Sequence, residues 1–179
     1  MSNSIMLDIE TLATTPDAVI LSFAAVKFNE FDPRPNYYEI LNLALDVDEQ
    51  IELGRKVDQE AVDWWAKQPQ EVQEFAFNPN QRTSIADFIV KLNKFIVATD
   101  RIWAQGPVFD IAILENLYRQ IGMPIPWQYY NIRDSRTIIK ALGSDIVNVR
   151  ENAHDALADC KYQAAYIKKI ADKYSLKTL

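Results

Sequence analysis

A strand that is apolar on both sides and then ends in acids constrains this chain most. Ser4-Ile5-Met6-Leu7-Asp8 places apolar residues at odd and even positions of the two-residue strand period. That pattern fits a strand at the centre of a sheet covered on both faces. Thr14 to Asp17 supply a turn, and Ala18 to Phe28 form a long β-type run through Val19, Ile20, Leu21, Phe23, Val26 and Phe28. Asp32-Pro33-Arg34-Pro35-Asn36 breaks the chain before Tyr37 to Leu43 resumes the strand pattern, which predicts an antiparallel meander.

From Asp58 the apolar period becomes helical, with Ala61, Val62 and Trp65 ahead of Pro69 and Val72 after it. Ser84 is placed to cap a longer helix whose stripe runs Ile85, Phe88, Ile89, Leu92, Phe95 and Ile96. Arg101 to Ala104 predicts a short strand, and Gly106-Pro107 turns into a helix carrying Ile111, Leu114, Leu117, Tyr118 and Ile121. Pro124, Pro126 and the stretch Trp127 to Ile132 predict a loop and a fifth strand. A helix follows over Ser135 to Leu142, and a last one begins near Asp155. Three strands, helices, then strand, helix, strand, helix describe one α/β domain over residues 1–179 with a five-stranded mixed sheet.

Composition narrows the function. The 179 residues suffice for one well-buried domain, and no apolar stretch approaches the length of a bilayer span. Cys160 is the only cysteine, which rules out an internal disulfide and points to a reducing cytoplasm. Nineteen basic against twenty-five acidic residues give a net charge of −6, which argues against tight binding along extended duplexes. An enzyme holding a few nucleotides at a strand end fits that balance better, because bound cations offset local acid.

Asp8 and Glu10 are two apart on an extended segment, so both side chains leave one face while Ile9 leaves the other. They stand at the carboxyl end of a central strand, the usual address for sites in such sheets. Asp110 follows the Gly106-Pro107 turn, in the first turn of a helix whose dipole also favours a carboxylate there. Phe109 beside it suits either core filling or stacking on a base. His154, the only histidine, and Asp159 are five apart, which on one continuous helix would set them roughly 140° apart. They share a site if the helix starts near Asp155, with Asn152 or Asp155 as its cap and His154 in the incoming loop. Oxygen ligands of this kind suit Mg²⁺ or Mn²⁺, and an imidazole beside them suits proton abstraction from water.

These residues resemble the DEDD superfamily of 3′→5′ exonucleases, in its histidine (DEDDh) subgroup. The D-x-E motif is Asp8 and Glu10, the second-motif aspartate is Asp110 in its Phe-Asp context, and H-x-x-x-x-D is His154 and Asp159. Val62-Asp63-Trp64-Trp65 and Arg133-Asp134-Ser135-Arg136-Thr137 are similar to segments of phage exonuclease A and related small bacterial exoribonucleases. The resemblance implies a ribonuclease H-like fold and two divalent cations, Mg²⁺ or Mn²⁺. Asp8, Glu10 and Asp159 would hold one ion, Asp8 and Asp110 the second, and His154 would be the general base. It further implies that the backbone at Thr11 and Leu12 cradles the terminal nucleotide, with Leu12 as an apolar wedge and Phe109 near the substrate. The expected partner is a single-stranded DNA or RNA 3′ end, from which nucleoside 5′-monophosphates are released. Where family members carry Thr-Gly or a similar small residue, this chain has Thr11-Leu12-Ala13, which bears on nucleotide preference.

Three other readings compete: an endonuclease of the same fold, a non-catalytic nucleic-acid-binding module, and an unrelated α/β domain. The complete ligand set argues against the binding module, which would be expected to have lost a ligand or the histidine. Sequence leaves open DNA against RNA, monomer against homodimer, and the roles of Trp64, Trp65, Asp134 and Arg136.

Overall fold

The computed structural model describes residues 4–32, 37–77, 81–97, 100–147 and 154–178. The expected break over Pro33 to Asn36 and the alternative cap Asn152 lie outside them. Strands β1 (Ser4–Thr11), β2 (Ile20–Phe28) and β3 (Tyr37–Ala44) come first. Helices α1 (Val47–Glu52), α2 (Gln59–Trp65), α3 (Gln70–Phe77) and α4 (Ile85–Phe95) follow. The remainder alternates: β4 (Arg101–Ala104), α5 (Asp110–Gln120), β5 (Ile132–Asp134), α6 (Ser135–Leu142) and α7 (Ala156–Lys173).

The five strands form one sheet in the order β3-β2-β1-β4-β5. β1 pairs antiparallel with β2, and β2 with β3, while β4 runs parallel to both β1 and β5. This is the mixed sheet expected from the sequence, with β1 at its centre. The short α1, which the apolar pattern does not announce, is capped by Asp46, whose side chain accepts from the Glu49 N–H at 3.0 Å.

Strand parity sorts β1 between two cores. Ile5, Leu7 and Ile9 pack with Phe23, Phe88, Leu92, Leu114 and Leu117 under α4 and α5. Met6 packs on the opposite face with Val26, Phe28, Trp103, Cys160 and Ile167 under α7. Asp8 and Glu10 continue the parity of Met6, so they emerge on the α7 side as the apolar run ends.

β5 differs from the expected Trp127–Ile132 strand. Trp127 turns into the core, where its indole donates to Glu115 at 3.1 Å and its ring meets Tyr118 edge-on. Tyr129–Asn131 then form a 3₁₀ turn, so pairing with β4 starts only at Ile132.

α7 begins where Asp155 caps it, accepting from the N–H groups of Leu157 and Ala158 at 2.9 and 3.1 Å. Asp155→Ala removes this cap and is expected to lower unfolding free energy by about 1 kcal/mol in urea denaturation.

Candidate active site

Three elements deliver the acids to one place. β1 presents Asp8 and Glu10, α5 opens with Asp110, and the first turn of α7 carries Asp159. Asp8, Glu10 and Asp159 each offer a carboxylate oxygen within 4.8 Å of the others'. A group of hard oxygen donors this compact fits Mg²⁺ or Mn²⁺, which bind oxygen ligands and retain waters. Asp110 lies close enough that its charge acts on Asp8 more strongly than those of Glu10 or Asp159.

The crowding has an electrostatic signature. Burial, then repulsion from Asp110, Glu10 and Asp159, raises the Asp8 pKa well above the usual carboxylate value, and a hydrogen bond from Gln163 partly opposes this. Asp110 is only 5% exposed, and burial raises its pKa to about 7. Its own N–H, the Ile9 N–H and the nearby Arg136 charge pull the other way. The Ile9 interaction has a topological cause. β1 pairs with β4 only as far as Met6 and Trp103, so the Ile9 N–H lies beyond the ladder and reaches the Asp110 carboxylate. Gly106 makes the turn that brings Asp110 there at φ +119°, with the Arg136 guanidinium lying 3.4 Å from where a Cβ would be.

His154 lies in the loop before α7, as the five-residue spacing requires, with φ +70°. Its backbone N–H points to Asp159 Oδ2 at 3.4 Å. Its ring meets Trp64 edge-on, with centroids 4.7 Å apart. The adjacent tryptophans, whose roles sequence left open, differ in burial. Trp65 is buried and its indole donates to the Thr11 carbonyl at 2.9 Å, whereas Trp64 is 41% exposed. Together they wall a cavity of about 360 Å³ lined also by Glu10, Thr11 and Asp58.

The other expected substrate residues fall around this cavity in different ways. Thr11 faces it, and its hydroxyl donates to the Ala13 carbonyl at 2.7 Å. The Leu12 side chain turns inward to Val19, Leu21 and Trp65, so it is seated in the core instead of projecting as a wedge. Phe109 is half-buried against the α5 core. Asp134 caps α6, accepting from the Arg136 N–H and the Thr137 hydroxyl, and Arg136 donates to the Gln105 carbonyl at 2.7 Å. Gln163 is the site residue that sequence reasoning missed. Its one available signal is its place a helical turn after Asp159.

A family model for the 3′–5′ exoribonuclease Rv2179c-like domain matches residues 3–171. The chain belongs to that family. A comparison with curated proteins finds no match in sequence. Among solved structures, the zinc-bound complex of E. coli exonuclease I with single-stranded DNA superposes with a TM-score of 0.70 at 21% identity. That likeness covers 98% of this chain and 42% of the other. Exonuclease I from Methylocaldum szegediense gives 0.67 at 19% identity, with 98% and 42% covered. The chain thus spans under half the length of these structures, and the likeness shows a shared ribonuclease H-like fold.

The raised carboxyl pKa values set a pH dependence. A carboxyl with a raised folded pKa holds its proton more tightly folded than unfolded, so its contribution to stability falls as pH rises between the two values. For Asp110 that window runs from 3.8 to about 7, and Asp8 acts in the same direction. In EDTA, Asp110→Asn is expected to be more stable than wild type at pH 8, on the order of 1 kcal/mol, with the gain vanishing near pH 4. Thermal melts across pH check this.

Proposed function

We propose that this chain is a divalent-cation-dependent 3′→5′ exonuclease of the histidine subgroup, acting as one domain on single-stranded nucleic acid. The observation that supports it most is the convergence of Asp8, Glu10, Asp110 and Asp159 from three elements beside a cavity that His154 borders through Trp64. Asp8, Glu10 and Asp159 would hold one cation, and Asp8 with Asp110 a second. When bound, two such ions supply Lewis-acid stabilisation of the attacking and leaving oxygens in an in-line displacement.

The chain's own groups account for the rest. His154 takes a proton from the attacking water as its oxygen bonds to phosphorus. The bond from phosphorus to the 3′-oxygen of the preceding nucleotide breaks, that oxygen keeps the electron pair and takes a proton from solvent to become a 3′-hydroxyl, and the terminal nucleotide leaves as a 5′-monophosphate. The cavity between Thr11 and Trp64 is within the size range of small-ligand sites and seats that terminal nucleotide. Trp64 offers its exposed ring to the base, and Trp65 anchors the Thr11 backbone from beneath. Leu12 supports this wall from the core, and Phe109 lies on the Asp110 side of the site.

The matching family is described as an exoribonuclease, and the fold neighbours include complexes with single-stranded DNA, so the proposal covers both polymers. Among the described residues no helix is long and apolar enough to cross a membrane, and buried, unpaired Cys160 fits the cytoplasm. The alternative reading is a nucleic-acid-binding module of the same fold.

Digestion of 3′- and 5′-labelled single-stranded DNA and RNA with Mn²⁺ or EDTA separates the readings. Stepwise shortening from the 3′ end, abolished by EDTA and by Asp8→Ala, is expected. Internal cleavage, indifference to EDTA, or binding without turnover would refute the proposal. His154→Ala is expected to lower kcat about 10²–10⁴-fold while the protein still binds Mn²⁺. Trp64→Ala should mainly raise KM for short oligonucleotides, read in steady-state assays.

A further inference from the structure

The Asp8 carboxylate has a protein partner besides its fellow acids. Gln163 Nε2 donates to Asp8 Oδ1 at 3.1 Å. Gln163 is only 3% exposed and stands one turn after Asp159 on α7, so the same helix face that supplies one ligand steadies another. The other end of this amide is unusual. Gln163 Oε1 is buried and accepts no hydrogen bond from any described residue. Buried polar atoms are normally paired, and one left unpaired costs about 1–3 kcal/mol. An apolar side chain of the same shape would avoid that cost, so space-filling alone does not account for a glutamine here.

We propose that Gln163 is a positioning residue for the cation site. Its amide N–H holds Asp8 Oδ1 and so orients the carboxylate that would hold the cations. Groups that hold a ligand by hydrogen bonding orient it and tune affinity without touching the metal. This inference rests on the cation-dependent reading above and adds a residue outside the D-x-E, Asp110 and H-x-x-x-x-D set.

The test is calorimetric titration of the whole protein with MnCl₂, without nucleic acid, for wild type, Gln163→Met and Gln163→Asn. Methionine keeps the length without the amide, and asparagine keeps the amide without the reach. Both are expected to bind Mn²⁺ about 10–100-fold more weakly than wild type. A merely structural glutamine predicts Mn²⁺ affinity within about twofold of wild type in both variants, and that result overturns the proposal. If Gln163→Met does not fold, Gln163→Asn decides on the same affinity criterion. A wild-type protein that binds no Mn²⁺ overturns the cation reading and this one together, whereas tight wild-type binding unchanged in the variants overturns only the role of Gln163.

Discussion

Repulsion among carboxylates at the open end of the central strand is the constraint on which the rest of the structure depends. Asp8 sits within the influence of Asp110, Glu10 and Asp159, and every one of them raises the cost of its charge. A chain selected for stability alone would not gather them. The fold holds them by fixing their backbones elsewhere: β1 is clamped by pairing with β2 along its whole length and by cores on both faces. Local dipoles offset part of the repulsion. Asp110 and Asp159 each lie in the first turn of a helix, and the Ile9 N–H and the Gln163 amide supply the nearest donors. Divalent cations would remove what remains, so the electrostatic strain and the proposed chemistry have one origin.

The same clamp shapes the cavity beside the acids. The β1–β2 register shifts between Glu10 and Thr11, and there Trp65 donates to the Thr11 carbonyl. That bond fixes the floor of the cavity and leaves Trp64, its neighbour on α2, at the surface against His154. Trp64 and His154, the proposed general base, therefore touch. A nucleotide seated against Trp64 would be felt directly by the loop that carries His154.

Much of this was legible in the sequence for a physical reason. Strand parity alone put Asp8 and Glu10 on one face, and the Gly106-Pro107 turn put Asp110 at a helix start. The five-residue spacing forced His154 off the helix of Asp159, and the structure places it in the preceding loop. What depends on tertiary packing was hidden. Adjacent tryptophans on a short helix look alike until the sheet decides which is buried. Leu12 reads as a loop residue and is core because β2 and α2 close over it. Trp127 has a strand former's side chain, but Glu115 and Tyr118 draw it into the core and shorten β5. Gln163 has no motif and becomes visible only through its bond to Asp8.

The central claim is that the carboxylates form a two-cation site. Anomalous diffraction at the manganese edge, from crystals grown with Mn²⁺ and a nucleoside 5′-monophosphate, addresses it most directly. One peak bounded by Asp8, Glu10 and Asp159 and a second between Asp8 and Asp110, roughly 3.5–4 Å apart, are expected. Manganese found only elsewhere on the protein, with the four carboxylates unliganded, would contradict it.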